Sequence, residues 1–124
     1  MFNVNLSTYE FAGHGVVALS GELDLTDAPG VASHLITAVA FYGPWVIVDL
    51  AGLDYIDAAS LGVLVRVLKR TRVNGGDLPL AAPQDVVRKV LTATGLIGVF
   101  SVYSSVEEAV RGADETRRLL PTVR

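Results

Sequence analysis

Asp49, Asp54, Asp57 and Ser60 lie within one stretch, WVIVDLAGLDYIDAASLGVLVRVL at residues 45–68, and are the side chains best placed for chemistry. Carboxylate oxygens suit a hard cation such as magnesium. A serine where a chain enters a helix lies among free backbone N–H groups, which favour an anion or a phosphoryl group. Each aspartate also has a structural use: Asp49 to end a strand, Asp54 to stabilise a turn, Asp57 to cap a helix. Nothing in the spacing forces the three to converge, so no metal and no cofactor are expected. His14, in an expected hairpin turn, and His34, on a helix, have no nucleophile to pair with and read as structural or solvent-facing. The chain has no cysteine, which removes thiolate catalysis and disulfides and fits a reducing compartment. It also lacks a GxSxG elbow, a GxxxxGK[ST] phosphate loop and a GxGxxG after a strand. Arg66, Lys69, Arg70 and Arg72 read as a solvated helix face whose charges suit a helix C-terminus.

Hydrophobic periodicity supplies the elements that must position these groups. Phe2, Val4 and Leu6 alternate with polar residues as in a half-buried strand, and Gly13-His14-Gly15 offers a turn into a second strand over Val16 to Leu19. Residues 20–27 mark a strand-to-helix junction in which Glu22 and Asp27 cap or solvate the helix, with Pro29 in its first turn. Ala28, Val31, Ala32, Leu35 and Val39 form that helix's apolar stripe, and Gly43-Pro44 ends it. Trp45 to Val48 read as a buried strand with Asp49 and Leu50 at its end, then an acidic turn, then a helix with the stripe Leu61, Leu64, Val65 and Leu68 stopped by Asn74-Gly75-Gly76. Leu78 to Ala81 make a short strand that Pro79 renders edge-like or irregular. A third helix places Val86, Val87, Val90 and Leu91 on its apolar face, a last strand includes Phe100 and Val102, and Ser105 with Glu108 has capping-box spacing before a short helix. The order β, β, α, β, α, β, α, β, α predicts one α/β domain: a mixed, mostly parallel sheet of about five strands with about four helices. Its expected limits are residues 3–112, with 113–124 a tail that is frayed or docked through Leu119 and Leu120.

The chain has 124 residues, 51% hydrophobic and 19% charged, enough for one packed core and too apolar for disorder. Its net charge of -3 argues against a general nucleic-acid binder. The start, MFNVNLSTYE, has no signal-peptide pattern, and no apolar run reaches the roughly 18 residues of a membrane span, so a cytoplasmic protein is expected.

Three blocks carry a family resemblance: GELDLTDAP at 21–29, VDLAGLDYIDAASLGVLV at 48–65 and VRKVLTATGLIGVFSVYSSVEEAV at 87–110. Together and in this order they resemble the STAS domain, specifically bacterial anti-sigma factor antagonists. The resemblance implies a binding module that is not an enzyme. It would bind a kinase-type, ATP-binding anti-sigma factor and free a sigma factor by partner switching, ended by serine phosphorylation and reset by a phosphatase. No direct nucleic-acid contact, no membrane insertion, and a monomer or weak dimer are expected. By the same resemblance the partner surface includes Asp24, Asp57, Ala58, Ala59, Ser60 and Gly62. The family's usual Asp-Ser-Ser-Gly-Leu-Gly, with the second serine as acceptor, stands here as Asp57-Ala58-Ala59-Ser60-Leu61-Gly62. Ala59 cannot carry phosphate. The expectation is therefore that the usual switch is lost, with Ser60 mainly a helix cap, or that it has moved to Ser60 as the candidate phosphosite. The resemblance leaves one alternative within the fold, an accessory subunit of a membrane lipid transporter. A receiver or small enzyme is disfavoured, because the first strand offers only Asn5 and Glu10 and residues 101–105 contain no lysine.

Overall fold

The computed structural model describes residues 3–119; the expected roles of Phe2 and Leu120 fall outside them. Strand β1 (Val4–Phe11) and strand β2 (His14–Leu23) form an antiparallel hairpin in the register Phe11↔His14 to Val4↔Gly21. The turn is Ala12-Gly13, one step earlier than expected. Both residues take positive φ, 50° and 84°, the twist that a two-residue connection between strands requires. His14 and Gly15 therefore belong to the strand, and Gly15 is needed because a Cβ there would lie 2.5 Å from the Tyr42 ring.

Helix α1 (Ala28–Tyr42) follows, with Asp27 at its N-cap and Ala28, Val31, Leu35 and Ala38 buried. Strand β3 (Ile47–Ile56) then pairs in parallel with β2, and here the structure corrects the expected acidic turn. The strand continues six residues past Leu50, and Asp49 and Asp54 both lie on it. Its register slips between Ala18 and Ser20 and again between Gly21 and Glu22, so β3 takes up one extra residue at each place. Each bulge shifts the inward-facing phase by one. Leu50, Leu53 and Ile56 are consequently all buried at a spacing of three, which in sequence does not look like a strand.

Helix α2 (Ala58–Val73) ends at Asn74, where Gly75 has φ +83° and a Cβ on Gly76 would sit 1.8 Å from the Pro44 carbonyl oxygen. Strand β4 (Leu80–Ala81) is irregular rather than an edge: it lies between β3 and β5 (Val102–Tyr103) in the sheet order β1-β2-β3-β4-β5. Pro79 stands just before the strand, and its carbonyl accepts from the Val48 N–H at 2.8 Å. Helix α3 (Asp85–Ala93) buries Val87 and Leu91, while Val86, expected on that face, is exposed. A 3-10 turn at Leu96–Gly98 leads into β5. All pairings but the first are parallel.

Sequential parallel strands with right-handed crossovers place α1, α2 and α3 on one face of the sheet, over the main core that includes Leu19, Val48, Leu64 and Leu91. Each such fully buried leucine contributes about 1.5–3 kcal/mol. Helix α4 (Val106–Leu119) folds back over the opposite face, where Ala109 and Val110 meet Val16, Ile47 and Ala81. Ser105 Oγ accepts from the Glu108 N–H at 3.1 Å, the expected cap. The helix runs through Gly112, so no break occurs there, and Leu119 is exposed rather than docked. In its second half α4 buries Ala113, and His14 ties it to the sheet. That ring is 3% exposed, with Nε2 2.7 Å from Asp114 Oδ1 and Nδ1 3.2 Å from the Trp45 carbonyl oxygen. The Arg117 guanidinium lies 5.9 Å from the Trp45 ring centroid beside it. His34 is also structural: its Nε2 lies 2.6 Å from the Thr8 hydroxyl across to β1.

Candidate functional site

Because β2 and β3 are parallel neighbours with Leu23 opposite Ile56, the loops that follow them emerge side by side. The Asp57 N–H donates to the Leu23 carbonyl at 3.3 Å and fastens the two loops together. In the first loop Asp24 Oδ1 accepts from the Thr26 N–H at 2.9 Å, and its carbonyl oxygen accepts from Asp27 and Ala28. Asp24 thus shapes the loop with its own backbone. In the second, Asp57 has extended backbone (φ -94°, ψ 163°), and its Oδ1 accepts from the Ser60 N–H at 2.7 Å, the geometry of an N-cap.

The Asp57 carboxyl is held below its ordinary value of 3.8, first by the Ser60 side chain beside it. Against the cost of partial burial, the backbone N–H groups of Ser60 and Leu25 add to this. The Ser60 hydroxyl still makes no properly formed hydrogen bond: Oγ is completely enclosed and has no partner. The expected division of labour is therefore corrected. Asp57 caps α2 through the Ser60 N–H, and the Ser60 hydroxyl is enclosed beside it.

The sign of the Asp57 effect is fixed by the lowered value. The ionised carboxylate is stabilised more by the folded than by the unfolded chain, so its contribution is full above 3.8 and is lost as pH falls through the lower folded value. Asp57→Asn keeps a capping oxygen but removes the charge. The stability gap to wild type in urea titrations is expected to be widest near neutrality and to close in acid; a gap constant with pH would show that the charge contributes nothing.

Of the residues expected at the partner surface, Asp24, Asp57, Ala58, Ala59 and Gly62 come together there. Ala58, Ala59 and Gly62 are exposed. Ser60, expected both as a contact and as the candidate phosphosite, lies beneath the surface with 0% exposure. Leu25 is a residue that sequence reasoning missed. It is 52% exposed beside Asp57, and its only signal in the sequence is an apolar side chain flanked by Asp24 and Thr26. The resulting surface has small residues and one leucine at its centre and carboxylates beside them.

Asp49 and Asp54 do not join it. Asp49 Oδ1 accepts from the Ala51 N–H at 3.0 Å within the bulged strand, and its charge, after burial, helps raise the Tyr9 hydroxyl above its ordinary value. Asp54 Oδ1 accepts from the Gln84 side-chain amide at 3.1 Å. Among the described residues, no three histidine, cysteine or acidic side chains are grouped so as to hold a metal ion. None of the described helices is long and apolar enough to cross a membrane.

Comparison with known families decides what this arrangement belongs to: residues 5–109 match the STAS domain. The chain belongs to the STAS domain family. A Bordetella bronchiseptica protein provisionally named anti-sigma factor antagonist BtrV is 30% identical over 106 residues, which are 86% of this chain and 91% of that one. A Thermotoga maritima protein, provisionally named an anti-sigma factor antagonist, is 36% identical over 69 residues, 56% of this chain and 58% of its own length. That second match spans little more than half of the relative. Among solved STAS structures, the anti-sigma factor antagonist SpoIIAA in its unphosphorylated form superposes with a TM-score of 0.73 at 23% identity, over 94% of this chain and all of that one. The mixed five-stranded sheet is therefore that of the STAS fold.

Proposed function

We propose that this protein is an anti-sigma factor antagonist, a cytoplasmic binding module without catalysis of its own that captures a kinase-type anti-sigma factor and so frees a sigma factor. The observation that carries the reading is the first turn of α2. Ala58, Ala59 and Gly62 are exposed beside the Asp24–Leu25 loop, and a partner's backbone can approach such small residues closely. The names of its relatives support the same role.

Regulation departs from the family's usual pattern. The position at which related domains accept phosphate is Ala59, and the neighbouring Ser60 hydroxyl is enclosed. A kinase needs its acceptor oxygen within reach of a bound nucleotide, so neither position serves as the folded protein stands. The antagonist is accordingly permanently competent, as a monomer or weak dimer, and its phosphatase is dispensable. Affinity capture followed by mass spectrometry is expected to return an ATP-binding anti-sigma kinase, and incubation with that kinase and ATP is expected to leave the protein unphosphorylated. Capture of a transporter ATPase in its place, or phosphate on Ser60, would overturn the corresponding half of the proposal.

A further inference from the structure

The chain has a net charge of -3, yet α1 and α2 contain no carboxylate at all. Their charged residues are the four bases of α2. Arg72 is paired with Asp77 at 3.0 Å, and among the described residues Arg66, Lys69 and Arg70 form no ion pair. Two surface depressions between the helices share Ile36, Val67 and Arg70 and so make one groove. Its floor is apolar, formed by Pro29, Ala32 and Ile36 of α1 with Val63 and Val67 of α2, and Arg66 and Arg70 line its side.

At about 100° per residue, Ala59, Val63, Arg66 and Arg70 fall within an arc of about 60° on α2. The groove thus continues along the same stripe as the docking turn. Arg66 and Arg70, one turn apart, repel each other with no acid at hand to relieve them. A carboxylate brought by a partner would relieve both, and a guanidinium binds a carboxylate through two parallel hydrogen bonds. The concave apolar floor suits the ridge of a helix, and α2's 16 residues set a length of about 24 Å, or four to five turns.

We propose that this groove receives an acidic amphipathic helix of the anti-sigma partner, its apolar stripe on Ile36, Val63 and Val67 and its carboxylates on Arg66 and Arg70. The proposal rests on the docking turn assigned above and extends that surface. It replaces the solvated-face reading of the basic run for Arg66 and Arg70.

The test uses the full chain and a stapled helical peptide of about sixteen residues carrying a leucine stripe flanked by glutamates. A twin with lysine in place of glutamate and phosphatidylserine vesicles serve as comparators. Fluorescence anisotropy is expected to show binding of the acidic peptide, weakened about tenfold or more by the Arg66→Glu/Arg70→Glu double variant and by added salt. Amide shifts should centre on Ala32, Ile36, Val63 and Val67. Absence of binding, equal binding of the lysine twin, shifts outside the groove, or adsorption to the vesicles without peptide binding would each overturn it. The milder Arg66→Gln/Arg70→Gln pair, checked by circular dichroism, guards against a folding defect. With the captured anti-sigma kinase, loss of binding by Ala59→Asp alongside a silent charge reversal would reject the groove and keep the docking turn. A silent Ala59→Asp would reject the turn, and the peptide result would then decide the groove independently.

Discussion

Ala59→Asp is expected to abolish binding to the anti-sigma partner while leaving the protein folded. Ala59 lies on the exposed first turn of α2, two residues after the Asp57 N-cap. There the backbone N–H groups and the helix dipole favour negative charge, partly offsetting repulsion from Asp57, so stability should change by no more than about 0.5 kcal/mol. Binding is different. A carboxylate at the centre of a small-residue contact must be desolvated without a partner, a cost of about 3 kcal/mol or more, on the order of a hundredfold in Kd. Isothermal titration calorimetry on the purified pair, with urea denaturation of the free protein as control, separates the two effects. Retained affinity would show that the partner docks elsewhere.

One residue further along, the same substitution should do the reverse. Ser60 is fully enclosed, and its Oγ has no hydrogen-bond partner. Ser60→Asp would bury a carboxylate next to that of Asp57 at a cost of about 3–5 kcal/mol, a large part of the 5–15 kcal/mol by which a domain of this kind is stable. A fall in Tm on the order of ten degrees is expected. Ser60→Ala relieves an unsatisfied buried hydroxyl but also withdraws the side chain that favours the ionised Asp57, so the two effects offset and stability should change by no more than about 1 kcal/mol. Thermal melts of the two variants decide the matter. A Ser60→Asp protein as stable as wild type would mean that the side chain reaches solvent easily, and the phosphosite at Ser60 would return as the better account.

These two neighbours show what can be read from a sequence here and what cannot. That Ala59, the position where the resemblance would place a phosphoacceptor, has no hydroxyl is visible in the string Asp-Ala-Ala-Ser-Leu-Gly, because identity alone decides whether a residue has a hydroxyl. Whether Ser60 inherits the role depends on which way it faces, and that is set by Asp57 capping the helix through the Ser60 N–H. The strand runs on where the sequence suggests an acidic turn, for a related reason. Two bulges in β3 put Leu50, Leu53 and Ile56 three apart on one face, and a rule of alternation cannot see an insertion whose evidence lies on the neighbouring strand.

The number and order of elements, the helix stops at Gly43 and Gly75, the mixed sheet and the family were all determined by the sequence itself, since each depends on local periodicity, backbone preference or residue identity. Tertiary structure alone decided which residues share a surface. Parallel pairing of β2 with β3 brings Leu25 beside Asp57. Packing of α1 on α2 turns a basic run into the wall of an apolar groove, and the return of α4 buries His14 against Asp114, a hundred residues away in the chain. Those are long-range contacts, and their partners are not neighbours in the sequence.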